Sequence, residues 1–467
     1  MKNRKKRFYL VGVAGVAMAS LAGLLKKKGY EVAGSDQDIY PPMSDMLRDL
    51  KIPVFSPYSE FHMKQYKPDV VVVGNAVGRG NPEVEHIVSI GQVYRSLPEI
   101  LREEFIESKK SIVITGTHGK TTTSALVAWI LEYAGLDPTV FIGGFVKNFD
   151  SSFKLGNGKY IVIEGDEYDT AFFDKGPKFF HYRPYIGLVN NIELDHVDIY
   201  KDLDAIKFSF SRFINLVPKN GMLVANKDDA RVQDLVLKKA KSPVTSFSLK
   251  NGDFTAKNIK NNSEGTAFRL IYNGQIVTDI KTNLSGGFNI SNILGAIAIA
   301  HFIGIPISKT KKAIETFSGV KRRSEVIGEN NGITVINDYA HHPTAVRETL
   351  KSLKHKFHGR RIVALFEPGS ASSKRKIFEK EYIKSLSNSD FTYVYKPFHA
   401  QNLLKREVFS GSAVSRSINK LGKESVYFDK LDQLLFHMKQ QLKRGDVVVI
   451  MSCRGFDGLP KEILNLI

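Results

Sequence analysis

The chain has 467 residues, 42% of them hydrophobic and 25% charged, which is the balance of a globular protein and excludes collagenous, low-complexity or multi-span membrane chains. Its formal charge of +19 is spread over short runs such as Lys26–Lys28, Lys238–Lys241 and Lys374–Lys376. No recognition helix or aromatic RNA-binding pattern accompanies them, so anionic small substrates are expected rather than specific nucleic-acid recognition. The single cysteine, Cys453, excludes an internal disulfide and any multi-cysteine metal site.

In chain order, Lys2, Arg4, Lys5, Lys6 and Arg7 precede an uncharged run from Phe8 to Leu25. That run has two readings. One is a secretory signal with Ala17-Met18-Ala19 as its small-residue site. The other is a βαβ unit: a strand at Phe8–Val11, a turn at Gly12 and Gly15, a helix from about Ala17 to Lys28, and a second strand reaching Ser35-Asp36. The glycines sit where such a turn needs them, and the chain is expected to follow the second reading, with no transmembrane segment. Tyr40-Pro41-Pro42-Met43-Ser44 predicts a loop into a helix capped by Ser44. The strand Val70–Val73 runs into Gly74-Asn75-Ala76 and Arg79-Gly80-Asn81-Pro82, a polar stretch at the binding edge of a parallel sheet, or simply a turn. The charged stretch Leu101–Lys110 bridges into a second domain.

The central stretch is Thr115-Gly116-Thr117-His118-Gly119-Lys120-Thr121-Thr122-Thr123, between an apolar strand at Ser111–Ile114 and helical periodicity over Ser124–Tyr133. Glycines there turn backbone N–H groups toward an anion, and the helix start adds partial positive charge. In such a loop Lys120 can reach outer phosphates and the Thr121 hydroxyl can ligate Mg²⁺; the alternative is a glycine turn that happens to precede a lysine. Only Thr117 and His118 separate Gly116 from Gly119, a shorter spacing than the general phosphate loop. Downstream, strands at Tyr160–Ile163 and Ile186–Val189 each run into an acidic stretch: Glu164 to Asp169, and Glu193 to Asp195 followed by His196. Carboxylates beside a phosphate loop are the hard oxygen ligands a Mg-nucleotide site requires. Residues 245–285 alternate apolar and polar around Gly265 and Asn273-Gly274, which predicts antiparallel hairpins. Asn289 and Asn292 share a helix face, placed to hold an adenine or to cap the helix.

The α/β rhythm resumes after Gly319-Val320-Lys321-Arg322-Arg323, with strands at Thr334–Ile336, Ile362–Phe366, Tyr393–Tyr395 and Val447–Met451. Asp338-Tyr339-Ala340-His341-His342-Pro343-Thr344 follows the first of these. It is either a metal or catalytic site or a helix-start turn.

Together these motifs resemble the Mur ligase family, ATP-dependent amide-forming enzymes of bacterial cell-wall synthesis. The short phosphate loop is similar to that of the branch acting on UDP-N-acetylmuramate. The passages Ser35-Asp36 through Ser44, Gly74-Asn75-Ala76 with Arg79-Gly80-Asn81-Pro82, Glu164 through Lys175, and Asp338 through Thr344 resemble the members that attach a diaminopimelate tripeptide rather than L-alanine. The resemblance implies an α/β protein of three domains. These are a Rossmann-like UDP-sugar domain (1–107), a central P-loop ATPase domain with a parallel sheet plus a small antiparallel sheet (108–319), and a Rossmann-like C-terminal ligase domain (320–467). It implies ATP and Mg²⁺ as cofactors, UDP-N-acetylmuramate and a peptide or amino-acid amine as partners, and a cytoplasmic location. Gly12, Gly15, Ser35, Asp36, Asn75 and Arg79 would bind the UDP-sugar. ATP would lie on Gly116 to Thr122, with Asn289, Asn292, Arg323 and Asp338. Catalysis would rest on Lys120, Glu164 and His196, and the metal on Thr121, Glu164 and His196. Some relatives carry a carbamylated lysine after the histidine; Ser209 and Ser211 stand in that area, so none is expected. Phe288 stands where the family often has histidine. Two loops of the last domain depart further: Glu367-Pro368-Gly369-Ser370-Ala371-Ser372 lacks the usual arginine and asparagine, and Ser452-Cys453-Arg454-Gly455-Phe456 replaces Ser-Asn-Gly-Gly-Phe. Discrimination at the third residue of the peptide is therefore expected to be relaxed, unless Arg454 or Arg375 supplies the cation.

Overall fold

The structure, a computed structural model, describes residues 4–401, 403–454 and 456–466; Lys2 and Gly455 of the motifs above lie outside the described residues. Contacts divide the chain into two compact units, one of Met1–Ile192, Asp204–Phe254 and Ile293–Ser318, the other of Glu193–Leu203, Thr255–Asn292 and Gly319–Ile467.

The first unit opens with β1 (Arg7–Val11), α1 (Val16–Lys27), β2 (Glu31–Ser35), α2 (Met43–Asp49), β3 (Val54–Phe55), α3 (Glu60–Tyr66), β4 (Val70–Val73), α4 (Pro82–Ser89), β5 (Tyr94–Ser96) and α5 (Leu97–Leu101). Its five strands pair in parallel in the order β3-β2-β1-β4-β5. The uncharged N-terminal run is spent on β1 and α1, whose residues Met18 to Leu25 are buried, which is the arrangement the βαβ reading expects. Ser44 is not the cap of α2. Pro42 already has helical angles (φ −87°, ψ −5°), so the helix begins at Met43 and Ser44 falls inside its first turn.

Next come β6 (Lys110–Thr115), α6 (Lys120–Tyr133), β7 (Thr139–Val146), β8 (Ser151–Lys154), β9 (Tyr160–Glu164), a small hairpin of β10 (Asp169–Ala171) and β11 (Asp174–Pro177), β12 (Pro184–Val189), α7 (Leu203–Leu216), β13 (Met222–Asn226), α8 (Ala230–Lys239) and β14 (Val244–Ser248). Strands follow the order β14-β13-β12-β6-β9-β7-β8, parallel except for β7 with β8. The register sets Thr115 beside Val189 and Ile114 beside Glu164, so the loops after β6, β9 and β12 share one sheet edge. Helix α6 starts at Lys120, earlier than its apolar period predicts, because its first turn buries threonines rather than aliphatic residues. The N-terminal layer packs on this sheet through α1: a Cβ on Gly23 would stand 2.1 Å from Phe153 Cζ, and the Ser20 and Ser152 hydroxyls lie 2.7 Å apart.

The chain continues through β15 (Phe254–Asn262), β16 (Gly265–Tyr272), β17 (Gln275–Thr282), α9 (Gly287–Ile303) and α10 (Ile307–Glu315). The expected hairpins begin later than residue 245: β14 runs parallel to β13, and antiparallel pairing is seen between β16 and β17. Apolar alternation does not encode strand direction, so the sequence could not separate the two.

The second unit carries β18 (Glu325–Asn330), β19 (Ile333–Asp338), α11 (Pro343–Lys356), β20 (Ile362–Phe366), α12 (Glu379–Leu386), β21 (Phe391–Tyr395), α13 (Gly411–Lys420), β22 (Glu424–Phe428), α14 (Leu431–Gln441), β23 (Val447–Met451) and α15 (Leu459–Leu466). The sheet order is β18-β19-β23-β20-β21-β22, with β18 the antiparallel edge. Val346, Tyr382 and Val414 of α11, α12 and α13 cover one face, while Leu434 of α14 and Ile463 of α15 cover the other.

Candidate active site

The phosphate loop is shaped by a close approach. Gly116 has φ +132°, and a Cβ on it would meet Asn190 Cβ at 2.9 Å and the Asn191 nitrogen at 3.0 Å. The Asn190-Asn191 pair after β12 braces the loop. The Thr117 N–H donates to the Asn191 carbonyl (3.1 Å) and the His118 N–H to Asn191 Oδ1 (2.7 Å). Asn190 Nδ2 donates to Thr123 Oγ1 (3.2 Å). Gly119, at φ +81°, is the cap from which α6 starts. Two loop amides that sequence reasoning assigned to an anion are thus bonded to Asn191.

Lys120 Nζ donates to the Gly116 carbonyl (2.7 Å) and to both Glu167 oxygens (3.0 and 2.9 Å). Burial disfavours its charge, but Glu167, Asp166 and Glu164 outweigh that and hold its pKa above the ordinary lysine value. Thr121 Oγ1 donates to Glu164 Oε1 (2.9 Å), and the Gly143 N–H donates to Glu164 Oε2 (2.9 Å). A hydroxyl and a carboxylate side by side at a helix start are hard oxygen donors that suit Mg²⁺. The structure therefore brings Lys120, Thr121 and Glu164 together. It adds Glu167, whose pairing with Lys120 the sequence did not reveal: 47 residues separate the two, and the acidic run offers several carboxylates of equal claim.

The Gly12 turn has φ +82°, and its N–H donates to the Ser35 carbonyl (2.8 Å). Asp36 folds back on this turn, accepting from the Ala14 N–H (2.8 Å) and from the Tyr58 hydroxyl (3.0 Å). Gly15 precedes α1 as its cap. The Ser35 hydroxyl donates to Glu83, a fully buried carboxylate that also accepts from the Tyr9 hydroxyl (3.0 Å). Sequence reasoning missed Glu83, which reads as an ordinary first-turn acid of α4. Asn75 is half-buried after β4. Arg79 is exposed and forms a fork with Glu85 (2.8 Å twice), which drops the Glu85 pKa to about 2. Nearby, Phe172 and Phe173 from the tip of the β10–β11 hairpin pack on Tyr94, with ring centres 6.2 and 5.0 Å away.

In the second unit, His196 has φ +51° and follows Asp195. Asp195 is buried, which raises its pKa, but His196, His341 and His342 overcome this and hold it well below the carboxylate range. Glu193 accepts from the Thr344 hydroxyl (2.7 Å), and His342 Nε2 lies 3.1 Å from the Leu194 carbonyl. His342 is also the cap of α11, with Nδ1 accepting from the Thr344 N–H (3.3 Å). The Asp338 passage leads into the start of α11, and its histidines lie against the 193–195 segment. Asp338 accepts from the Ala340 N–H (2.7 Å) and the Ser324 N–H (2.6 Å), and Arg323 lies over the Tyr339 ring (4.7 Å). Asn289 Nδ2 donates to the Ser285 carbonyl (2.8 Å), and Asn292 Nδ2 reaches Asn289 Oδ1 (3.4 Å).

Three family models match the chain: "Mur ligase family, catalytic domain" over residues 7–107, "Mur ligase middle domain" over 114–300, and "Mur ligase, glutamate ligase domain" over 322–454. The UDP-N-acetylmuramate–L-alanyl-γ-D-glutamyl-meso-2,6-diaminoheptandioate ligase of Haemophilus influenzae is 36% identical over 98% of this chain and 99% of its own length. The UDP-N-acetylmuramate–L-alanine ligase of Desulforapulum autotrophicum is 33% identical over the full length of both. Among solved structures, a murein peptide ligase from Psychrobacter arcticus superposes with a TM-score of 0.75 at 33% identity, covering 99% of this chain and 98% of that one.

Proposed function

The chain belongs to the Mur ligase family of ATP-dependent, amide-forming enzymes, and from that premise we propose that it joins the tripeptide L-alanyl-γ-D-glutamyl-meso-diaminopimelate to UDP-N-acetylmuramate. The observation that carries the reaction class is the grouping of Lys120, Thr121 and Glu164 at the β6–α6 junction. Full-length similarity to the tripeptide ligases of Haemophilus influenzae and Escherichia coli supports the choice of amine.

The chemistry has a physical logic. A carboxylate is a poor electrophile, so the sugar's carboxylate first takes the γ-phosphoryl group of ATP. The peptide amine then displaces phosphate from the resulting acyl phosphate. Protein help in such a transfer is positioning and charge neutralisation. Lys120 would exchange Glu167 for the phosphate oxygens. Thr121 and Glu164 would hold Mg²⁺ and His196 a second ion. Bound there, the metal supplies neutralisation of charge on the phosphate oxygens. Asn289 and Asn292 would face the adenine, with Arg323 and Asp338 contributing from the last domain. Gly12, Gly15, Ser35, Asp36, Asn75 and Arg79 would line the sugar nucleotide's place. We assign these roles to domains at 1–107, 108–319 and 320–467, and a cytoplasmic site of action, where ATP and UDP-sugars are made. No helix among the described residues is long and apolar enough to cross a membrane.

Similarity to L-alanine ligases over the whole chain supports a second reading, the same sugar with L-alanine. Phosphate release with UDP-N-acetylmuramate, ATP and each amine in turn separates them. Turnover of L-alanine alone would overturn the tripeptide assignment; release with no amine would overturn both.

A further inference from the structure

Strands β20 and β23 are parallel neighbours, yet their outgoing connections part company. The chain leaving β20 reaches α12 on the face covered by α11 and α13, and the chain leaving β23 reaches α15 on the opposite face. Adjacent strands that diverge in this way open a crevice at their carboxyl ends, where open α/β sheets place their ligands. Residues 367–375 follow β20 and residues 452–454 follow β23 at that edge.

These two loops carry the Gly369 and Arg454 that the resemblance does not account for, and the two residues fit each other. A Cβ on Gly369 would stand 3.0 Å from Cys453 Sγ and 3.1 Å from Arg454 Cγ. The glycine thus gives the Arg454 stem its room. The Arg454 backbone is fixed: its N–H donates to Ser452 Oγ (3.0 Å), and that hydroxyl donates to buried Glu367 (2.6 Å). The guanidinium is exposed and lies over the Phe398 ring, 5.5 Å from its centre. Lys374 and Arg375 stand on the facing loop. Burial and then the charge of Arg454 lower the Lys374 pKa. Arg375 is turned to Glu407 (3.8 Å) and Lys374 Nζ to the His399 carbonyl (3.3 Å), so among the described cations of these two loops Arg454 is the one placed to take an incoming carboxylate.

We propose that Arg454 grips the side-chain carboxylate of the peptide's third residue, and that Gly369 is the space-making partner that lets it. The proposal rests on the tripeptide reading above. Guanidinium binds carboxylate bidentately and fixes its plane, so Arg454 restores discrimination that the loop sequence alone would have relaxed.

The test compares kcat/KM for the diaminopimelate tripeptide with that for its L-lysine counterpart, which lacks the side-chain carboxylate. Wild type is expected to favour diaminopimelate tenfold or more. Arg454→Ala should collapse the ratio to within about twofold, through KM for the diaminopimelate peptide and with kcat little changed. Arg454→Lys should recover only part of it, because a point charge lacks the fork. Gly369→Ala, which keeps the arginine but crowds its stem, should lower the ratio several-fold. A ratio near one in wild type, or a high ratio kept in Arg454→Ala, overturns the proposal while the tripeptide reading stands. Wild type that turns over neither tripeptide overturns both.

Discussion

At the scale of single residues, Lys120 and Glu167 carry a coupled expectation. Glu167 is buried, and Lys120 occupies both of its oxygens. Lys120→Ala removes the phosphate partner, which costs roughly 10³ in phosphoryl transfer. It also removes the cation that binds both oxygens of a buried carboxylate, a loss of about 3 kcal/mol. Adding Glu167→Gln should return most of the stability and none of the activity. Urea unfolding beside phosphate-release rates distinguishes the two effects; near-normal turnover in Lys120→Ala would end the assignment of this loop. Lys120 and Thr121 were legible in the sequence because a strand, a glycine loop and a helix start fix their geometry locally, and Glu164 because an apolar strand runs straight into it. Asn191 and Glu167 were not. Their partners come from other strands of the sheet, and sequence order carries no record of which strand end faces which.

At the scale of elements, Glu104 ties three segments together. It sits just past α5 and binds Lys6 before β1 (2.9 Å), Lys28 at the end of α1 (2.8 Å) and the Tyr30 hydroxyl before β2 (2.5 Å). Its side chain is 10% exposed. Burial raises its pKa, but Lys28, Tyr30 and Lys6 more than offset that and bring it to about 2. The depressed value fixes the sign: the folded state releases the proton at lower pH than the unfolded chain, so this contribution is full above about pH 4.5 and is lost as pH falls toward 2. Glu104→Gln should therefore cost on the order of 2 kcal/mol at neutral pH, with a gap that narrows below about pH 4.5 and closes only at about pH 2. Denaturation midpoints at both pH values check it, and a gap that persists in acid would rule out the charge as its cause. The strands Ile362–Phe366 and Val447–Met451 were readable to the residue, being apolar runs buried on both faces. The edge strands β18 and β22 were not. An edge strand exposes one side, so Glu325–Asn330 carries the polar residues of a loop, and Glu424–Phe428 opens on a glutamate and a serine that shorten its apolar run to three residues.

For the whole molecule, the charge of +19 acquires a use that composition could not specify. UDP-N-acetylmuramate brings a diphosphate and a carboxylate, and ATP brings a triphosphate, so both meet an attractive field before any contact forms. Exposed charges act over about 10 Å at 0.1 M salt. If the field steers the sugar nucleotide, kcat/KM for UDP-N-acetylmuramate should fall several-fold as ionic strength rises from about 20 to about 200 mM, with kcat nearly constant. An L-alanine amine is zwitterionic and should respond much less in the same assay. A diaminopimelate peptide adds carboxylates and should fall between the two. The ordering, more than any one slope, is what the charge distribution predicts. A flat dependence for the sugar nucleotide would show that the scattered lysines and arginines serve solvation alone, and an equal slope for all three substrates would point to a general effect of salt on the fold.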